Sequence, residues 1–153
     1  MDHITGLLLN PFLITATSSW AIAQILKVII NVIVNKKLSV ERLFGDGGMP
    51  SGHSATVSSL AVFSALSFGT SSFEFAVTGI LAIIVCHDAM GVRLETGKQA
   101  LLINEIIKTF SILSKNKLPE VKLKELVGHT PIQVFAGILL GVINACVLYY
   151  FVF

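Results

Sequence analysis

The chain of 153 residues is long enough for one domain, and 54% of its residues are hydrophobic while only 13% are charged. Soluble domains carry about one-quarter charged residues because their surfaces face water, so this composition excludes an ordinary water-soluble protein. The formal net charge of +2 is too small to indicate a nucleic-acid partner. The sequence therefore predicts a single all-α domain, residues 1–153, folded as an integral membrane helical bundle.

Four apolar segments are predicted to be transmembrane helices, because uncharged runs of about 18 residues match the thickness of a bilayer. The C-terminal segment contains no charged residue at all, whereas the second segment is shorter than a full span. The four segments extend over about Pro11–Val34, Ser54–Phe68, Phe73–Gly91 and Pro131–Phe153.

A fifth segment, from about Gly97 to Leu113, is amphipathic. Its apolar residues recur at helical spacing, while Lys98, Glu105 and Lys108 lie largely on the other face. This pattern predicts an interfacial helix along the membrane surface. A tilted or re-entrant span is the alternative, in which the charges would need shelter. The following segment, Ser114–Lys124, is predicted to be a basic loop.

Lysine and arginine are concentrated in two places, between the first and second spans and between the third and fourth. With four spans, these two loops lie on one side of the membrane. Cytoplasmic loops are enriched in Lys and Arg, so we expect this side to be cytoplasmic, in the plasma membrane if the source is bacterial. Alternatively, some of these cations bind an anionic substrate.

Polar side chains recur along the first span at steps of three and four residues, which predicts a stripe that faces protein rather than lipid. Lys27 lies about two turns inside the helix end, where its ammonium group can attract a phosphate; snorkelling to the headgroups is the alternative. For Gln24 and Asn31, hydrogen bonding between helices is an equally good interpretation. The stripe consists of Thr17, Trp20, Gln24, Lys27 and Asn31.

The segment Gly47–Ser54 is rich in glycine and leads directly into the second span. A tight turn before a helix start exposes backbone N–H groups, and the helix dipole there favours an anion. Ser51 or Ser54 could instead serve only as the helix N-cap, and His53 could be an interfacial histidine without chemistry.

The segment Gly128–Gln133 begins the last span, with Thr130 as its predicted N-cap. His129 therefore lies at a second helix start, on the same membrane side as His53. Gln133 is four residues further on and can accept a hydrogen bond from the imidazole. Two such histidines suit phosphoryl transfer, because one can attack phosphorus while the other protonates the leaving oxygen.

Asp88 and Arg93 lie at the end of the third span, on the same side. They could simply pair with each other. Alternatively, the planar Arg93 guanidinium grips phosphate oxygens, while Asp88 orients a histidine or holds a cation. No cluster in the sequence resembles a metal site, so we expect neither a metal nor a cofactor.

These motifs together resemble the type 2 phosphatidic acid phosphatase superfamily, and more specifically its divergent membrane branch, which is related to acid phosphatases and vanadium-dependent haloperoxidases. The Pro-Ser-Gly-His motif at Pro50–His53 is weak alone, but the motifs follow one another in consistent order over most of the chain. The matching residues are Ala23, Gln24, Lys27, Gly47–Ala55, Asp88–Arg93, Gly97, Gln99, Ala100, Asn104 and Gly128–Pro131.

The resemblance implies that His129 is the nucleophile, which forms a phosphohistidine, and that His53 is the general acid. It implies phosphate ligands and supporting residues as well. The implied phosphate ligands are Lys27, Ser51, Gly52 and Arg93, with Gln24, Asp88 and Gln133 in support.

Two positions depart from the superfamily pattern. The arginine expected six residues before the nucleophile is replaced by Leu123, so Lys122, Lys124 or Arg93 would have to substitute. The carboxylate expected four residues after it is replaced by Gln133. A glutamine can orient an imidazole, but it does not stabilise an imidazolium as a charge would.

The sequence thus predicts a membrane phosphatase that hydrolyses a lipid phosphate or pyrophosphate at the cytoplasmic interface. Its partners would be a phosphorylated lipid substrate and the surrounding membrane lipids. Four spans are few for the superfamily fold, so a homodimer that completes the site is a further possibility. The alternative function is a non-catalytic relative that binds or moves a phosphorylated lipid.

Overall fold

The computed structural model describes residues 3–36, 48–113, 123 and 127–153, and all regular secondary structure in these ranges is α-helical. Three helical segments, Pro11–Val34, Phe73–Leu113 and Pro131–Phe151, are long and apolar enough to cross a membrane. The predicted all-α membrane bundle is confirmed. Its helices are α1 (His3–Leu8), α2 (Pro11–Asn35), α3 (Gly52–Phe68), α4 (Phe73–Met90), α5 (Val92–Leu113) and α6 (Pro131–Phe151).

Helix α3 is the centre of the bundle and packs against α2, α4 and α6. It corresponds to the short second span, and it has 17 residues because it begins at Gly52, two residues earlier than predicted. Its buried residues are glycine, alanine, serine and one phenylalanine. Such small side chains allow neighbouring helices to approach closely, which is typical of helix contacts inside membranes.

Helices α3 and α6 run parallel and touch through two glycines of α6. A Cβ atom on Gly141 would lie 2.5 Å from the carbonyl oxygen of Ala55, and one on Gly137 would collide with the carbonyl oxygen of Ser51. The two helices therefore meet backbone to backbone. This contact aligns their N-terminal ends at the same level of the bundle.

A buried polar network joins α2, α3 and α6. The side-chain amide of Asn144 donates to the hydroxyl oxygens of Ser19 at 2.8 Å and Ser18 at 3.0 Å, and to the carbonyl oxygen of Thr15 at 3.3 Å. The Ser59 hydroxyl also donates to the Thr15 carbonyl, at 3.4 Å. These hydrogen bonds satisfy an amide that would be costly to leave unpaired inside a membrane.

The buried stripe of α2 differs from the predicted one. Thr17 is exposed and donates its hydroxyl back to the Leu13 carbonyl of its own helix at 2.7 Å, and Trp20 is 46% exposed. The prediction was wrong for these two residues because it selected polar and amphipathic side chains, whereas close packing against α3 selects small ones. Apart from Ala16, the buried residues of α2 recur every fourth position: Thr15, Ser19, Ala23, Lys27 and Asn31.

Helix α5 begins at Val92, five residues before the predicted start at Gly97, and only Gly91 separates it from α4. It ends at Leu113, as predicted, and its position relative to the membrane surface stays a prediction. The Asn104 carboxamide both donates to the carbonyl oxygen and accepts from the N–H of Leu123, each at 3.0 Å. The rest of the predicted basic loop, Ser114–Lys124, lies outside the described residues.

The tight glycine contact between α3 and α6 leads to a prediction about the free energy of unfolding. Replacing Gly141 by alanine is expected to lower the free energy of unfolding by about 1–3 kcal/mol, because the new methyl group overpacks the interface. The matched control is Gly79→Ala in α4, where the nearest atom to a new Cβ lies at 3.9 Å. Thermal unfolding of both variants in detergent measures the difference. An unchanged melting temperature for Gly141→Ala would contradict the tight contact.

Candidate active site

Backbone hydrogen bonds bring the starts of α3 and α6 and the end of α4 together. The Ser51 N–H, just before α3, donates to the Gln133 carbonyl of α6 at 3.0 Å. The His129 N–H, just before α6, donates to the Ala89 carbonyl of α4 at 3.0 Å. Three chain segments that are far apart in sequence are therefore held at one end of the bundle.

Gly128 makes the turn into this site possible. It has φ +84°, in the left-handed region, and a Cβ atom there would collide with the backbone of Leu94 at the start of α5. Only glycine combines this conformation with so close a contact. The segment that carries His129 is consequently pressed against the α4–α5 junction.

The glycine-rich turn before α3 forms the second part of the site. Ser51 is the N-cap of α3, as one of the two alternatives predicted, and its buried hydroxyl oxygen accepts from the Ser54 N–H at 3.3 Å. A Cβ atom on Gly52 would lie 3.9 Å from the Lys27 ammonium nitrogen. Lys27 itself is only 5% exposed. The positive dipole ends of two parallel helices and a buried ammonium group thus meet here, an arrangement that favours an anion.

The two motif histidines lie close together in this site. The ring centroids of His53 and His129 lie 6.3 Å apart, with an angle of 60° between the ring planes. His129 is 1% exposed, whereas His53 is half-buried. The structure therefore brings together the two residues that the sequence placed in separate motifs, and both imidazoles can reach one phosphoryl group.

The side chain of Gln133 determines which nitrogen of His129 carries the proton. Its Oε1 accepts from the Thr130 N–H at 3.1 Å, completing a capping box at the start of α6. A backbone N–H requires an oxygen acceptor, so the same Oε1 faces His129 Nδ1, at 3.3 Å. The neutral imidazole then carries its proton on Nδ1 and has its lone pair on Nε2.

His129 precedes the membrane-spanning helix, and burial lowers the pKa of its imidazole below the usual 6.5. The Lys27 ammonium lowers this pKa further, and His53 acts in the same direction, while the hydrogen bond to Gln133 and the nearby backbone of Gly48 oppose them. Both leading effects disfavour the imidazolium form. The neutral form of His129, with Nε2 unprotonated, is accordingly favoured.

Two buried polar atoms at this end of the bundle have no hydrogen-bond partner among the described residues: Nε2 of His129 and Oε1 of Gln24. Each such atom costs about 1–3 kcal/mol, and native structures rarely tolerate one without a functional reason. An unpaired Nε2 beside a buried ammonium group is what a nucleophile for an anionic substrate requires.

Asp88 and Arg93 pair with each other, which is the simpler of the two predicted alternatives. The Arg93 Nε donates to the Asp88 Oδ2 at 2.7 Å, and both side chains are partly exposed, by about 40%. The backbone of Arg93 adjoins Gly128. A role for either residue in binding phosphate stays a prediction. The other suggested substitutes for the missing motif arginine, Lys122 and Lys124, lie outside the described residues.

Sequence reasoning did not identify two features of this end of the bundle. The Ala89 carbonyl that anchors His129 left no signal, since any residue supplies a backbone acceptor. Asn144, further along α6, could have been identified from the sequence, because a carboxamide inside an apolar span is costly unless it is paired.

The fold and this site define an integral membrane helical bundle that carries a histidine pair where two helix N-terminal ends meet. The sequence profile of the divergent PAP2 family matches residues 8–144, and the chain belongs to that family. The chain is also similar to an uncharacterized membrane protein, YuiD, of Bacillus subtilis strain 168. The two are 41% identical over 154 residues, covering 95% of this chain and 98% of the relative. No solved structure matches the chain.

The protonation state of His129 can be tested directly. Histidine NMR in detergent is expected to show one imidazole with a pKa below 6.5, and His129→Gln should remove that signal. In Lys27→Met, the pKa of His129 is expected to rise, because a nearby positive charge has been removed. A His129 signal that titrates at or above 6.5 in the wild-type protein would contradict the site described here.

Proposed function

We propose that this protein is a membrane phosphatase that hydrolyses a lipid phosphate or pyrophosphate through a phosphohistidine intermediate. The observation that carries the proposal is the environment of His129: its Nε2 is buried and has no partner among the described residues, Gln133 favours the proton on Nδ1, and the His53 ring lies 6.3 Å away, centroid to centroid. Membership of the divergent PAP2 family supports the same chemistry.

The proposed reaction has two displacements at phosphorus. The lone pair of His129 Nε2 forms a bond to phosphorus, the bond to the lipid oxygen breaks, and His53 donates a proton to that leaving oxygen. Water then attacks the phosphohistidine while His53 accepts a proton from it. Inorganic phosphate leaves, and both histidines return to their starting states.

The phosphoryl oxygens gain or redistribute negative charge in each step, and the site offers positive potential to stabilise it. Lys27 supplies a full charge, and the backbone N–H groups at the start of α3, next to Ser51 and Gly52, supply the helix dipole. The ammonium group is shielded from water, which strengthens its interaction with phosphate. Lys27 therefore contributes to binding and to the transition state.

The pH dependence of this reaction follows from the pKa of His129. Only the unprotonated Nε2 attacks phosphorus, and burial and Lys27 hold this pKa below 6.5. Activity is accordingly expected to persist as the pH falls to 6.5 and to decline only when the pH passes through the lowered pKa.

We further propose that the site faces the cytoplasm. The end of α2, the start of α3, the end of α4 and the start of α6 all lie at the end of the bundle that carries the basic segments, and positive segments favour the cytoplasmic side. The C-terminal residue Phe153 would then face the opposite side.

A disulfide-dependent reporter enzyme fused after Phe153 is expected to be active in a Gram-negative host, because its disulfides form only outside the cytoplasm. An inactive but expressed fusion would reverse the orientation.

Phosphate release tests the catalytic proposal. Detergent-purified protein is expected to release phosphate from lipid monophosphates or pyrophosphates, and His129→Ala and His53→Ala should each lower kcat by about 10²–10⁴-fold. The matched control is His87→Ala, an exposed histidine in the last turn of α4, which should retain wild-type activity. If folded wild-type protein releases no phosphate from any substrate, the protein is not a phosphatase.

The alternative function is a non-catalytic membrane protein that binds or moves a phosphorylated lipid. It is favoured by one observation: the partner of His129 Nδ1 is the neutral Gln133, which does not stabilise an imidazolium.

The phosphate-release assay separates the two functions when Gln133→Glu is included. A glutamate preserves the capping box and adds the charge, so hydrolysis that appears only in this variant would identify a binding protein that has lost its catalytic carboxylate.

A further inference from the structure

Trp20 occupies an unusual position for a membrane tryptophan. It is the one tryptophan of the chain and the tenth of the 25 residues of α2. At 1.5 Å per residue the helix is about 37 Å long, so Trp20 lies near its middle. Tryptophan in membrane spans is enriched at the headgroup level instead, where its N–H reaches water. A contact near the middle of α2 must therefore explain why a tryptophan occupies this position.

One edge of the Trp20 indole contacts the candidate active site. A Cβ atom on Gly52 would lie 3.3 Å from the indole Cδ1, 3.7 Å from the indole Nε1 and 3.9 Å from the Lys27 ammonium nitrogen. The ring thus packs on the same backbone that adjoins the buried ammonium group. Apart from the chain neighbours of Gly52 and its own helix, no other residue lies as close to that point, within the part of the chain that the structure describes.

Trp20 is nevertheless 46% exposed, so part of its surface lies on the outside of the bundle. Trp20, Gln24 and Lys27 are spaced by four and three residues, so they follow one face of α2. Their burial increases along this line, from the half-exposed Trp20 through the partly buried Gln24 to the buried Lys27. The line leads from the lipid-facing surface of the helix to the anion site.

We propose that Trp20 is a specificity-determining residue that holds the hydrocarbon chain of the substrate where it leaves the anion site for the bilayer. This inference rests on the proposed phosphate site and narrows its substrate class. The phosphate binds at Lys27 and Gly52, and the first methylene groups of the chain lie on the indole. The substrate is then a long-chain lipid phosphate or pyrophosphate that reaches the site sideways from the membrane, rather than a water-soluble phosphate ester.

Fluorescence tests this arrangement without requiring turnover. Because Trp20 is the sole tryptophan, all tryptophan emission reports its surroundings. The protein is reconstituted in phosphatidylcholine vesicles that contain an equal mole fraction of either phosphatidic acid or phosphatidylcholine with bromine atoms near the carboxyl end of the acyl chain. Brominated phosphatidic acid is expected to quench more strongly, since its phosphate is retained at Lys27, and Lys27→Met should remove the excess. Equal quenching by the two lipids in the wild-type protein would overturn the proposal.

Turnover provides a second readout. In Trp20→Ala, the ratio of kcat/KM for long-chain phosphatidic acid to that for a short, water-soluble alkyl phosphate is expected to fall about tenfold, equivalent to about 1.4 kcal/mol. Trp20→Phe should recover most of this ratio, because a flat apolar ring is kept. The matched control is Ile29→Ala, a residue of α2 with the same exposed fraction of 46%, which should leave the ratio unchanged.

The two readouts distinguish the failure of this inference from that of the proposed function. Equal losses on both substrates in Trp20→Ala would show that the indole only packs on Gly52. If the wild-type protein hydrolyses neither substrate, the phosphatase function fails, and the quenching excess alone decides whether Trp20 contacts the chain of a bound lipid phosphate.

Discussion

The backbone contact between α3 and α6 is the constraint on which the rest of the site depends. Gly137 and Gly141 allow the two helices to run parallel and touch, and this contact sets their N-terminal ends at one level. Helix dipoles that would otherwise point at separate places then reinforce each other at a single point. The same contact brings His53 and His129, each carried at one of these helix starts, to within 6.3 Å of each other, ring centroid to ring centroid.

Burial of the site from water controls the chemistry of His129. Burial and the Lys27 ammonium keep His129 neutral, and the capping box of α6 holds its proton on Nδ1. The capping box that begins α6 thus also selects the tautomer of the proposed nucleophile. The cost is two buried acceptor atoms without partners among the described residues, His129 Nε2 and Gln24 Oε1; in the proposed reaction the Nε2 lone pair attacks phosphorus instead of accepting a hydrogen bond.

Several features could be read from residue order because they depend on local physics. The four apolar runs and the N-caps Ser51 and Thr130 follow from hydrophobicity and capping chemistry, and each was predicted close to its observed place. The stripe on α2 was wrong at Thr17 and Trp20, because burial inside a membrane bundle follows side-chain size more than polarity. The start of α5 was placed five residues late, at Gly97 instead of Val92.

The sequence by itself determined that the protein is a membrane bundle with two histidines at helix starts and a lysine inside a span. Hydrophobic spans and helix starts depend on residues that are close together in the sequence, so no tertiary contact is needed to predict them. Only the tertiary structure decided which residues meet. It paired Asp88 with Arg93, joined His129 to Ala89, and placed Gly52 between Trp20 and Lys27. Such contacts depend on how closely helix backbones approach, and that distance is set by small side chains on three helices at once.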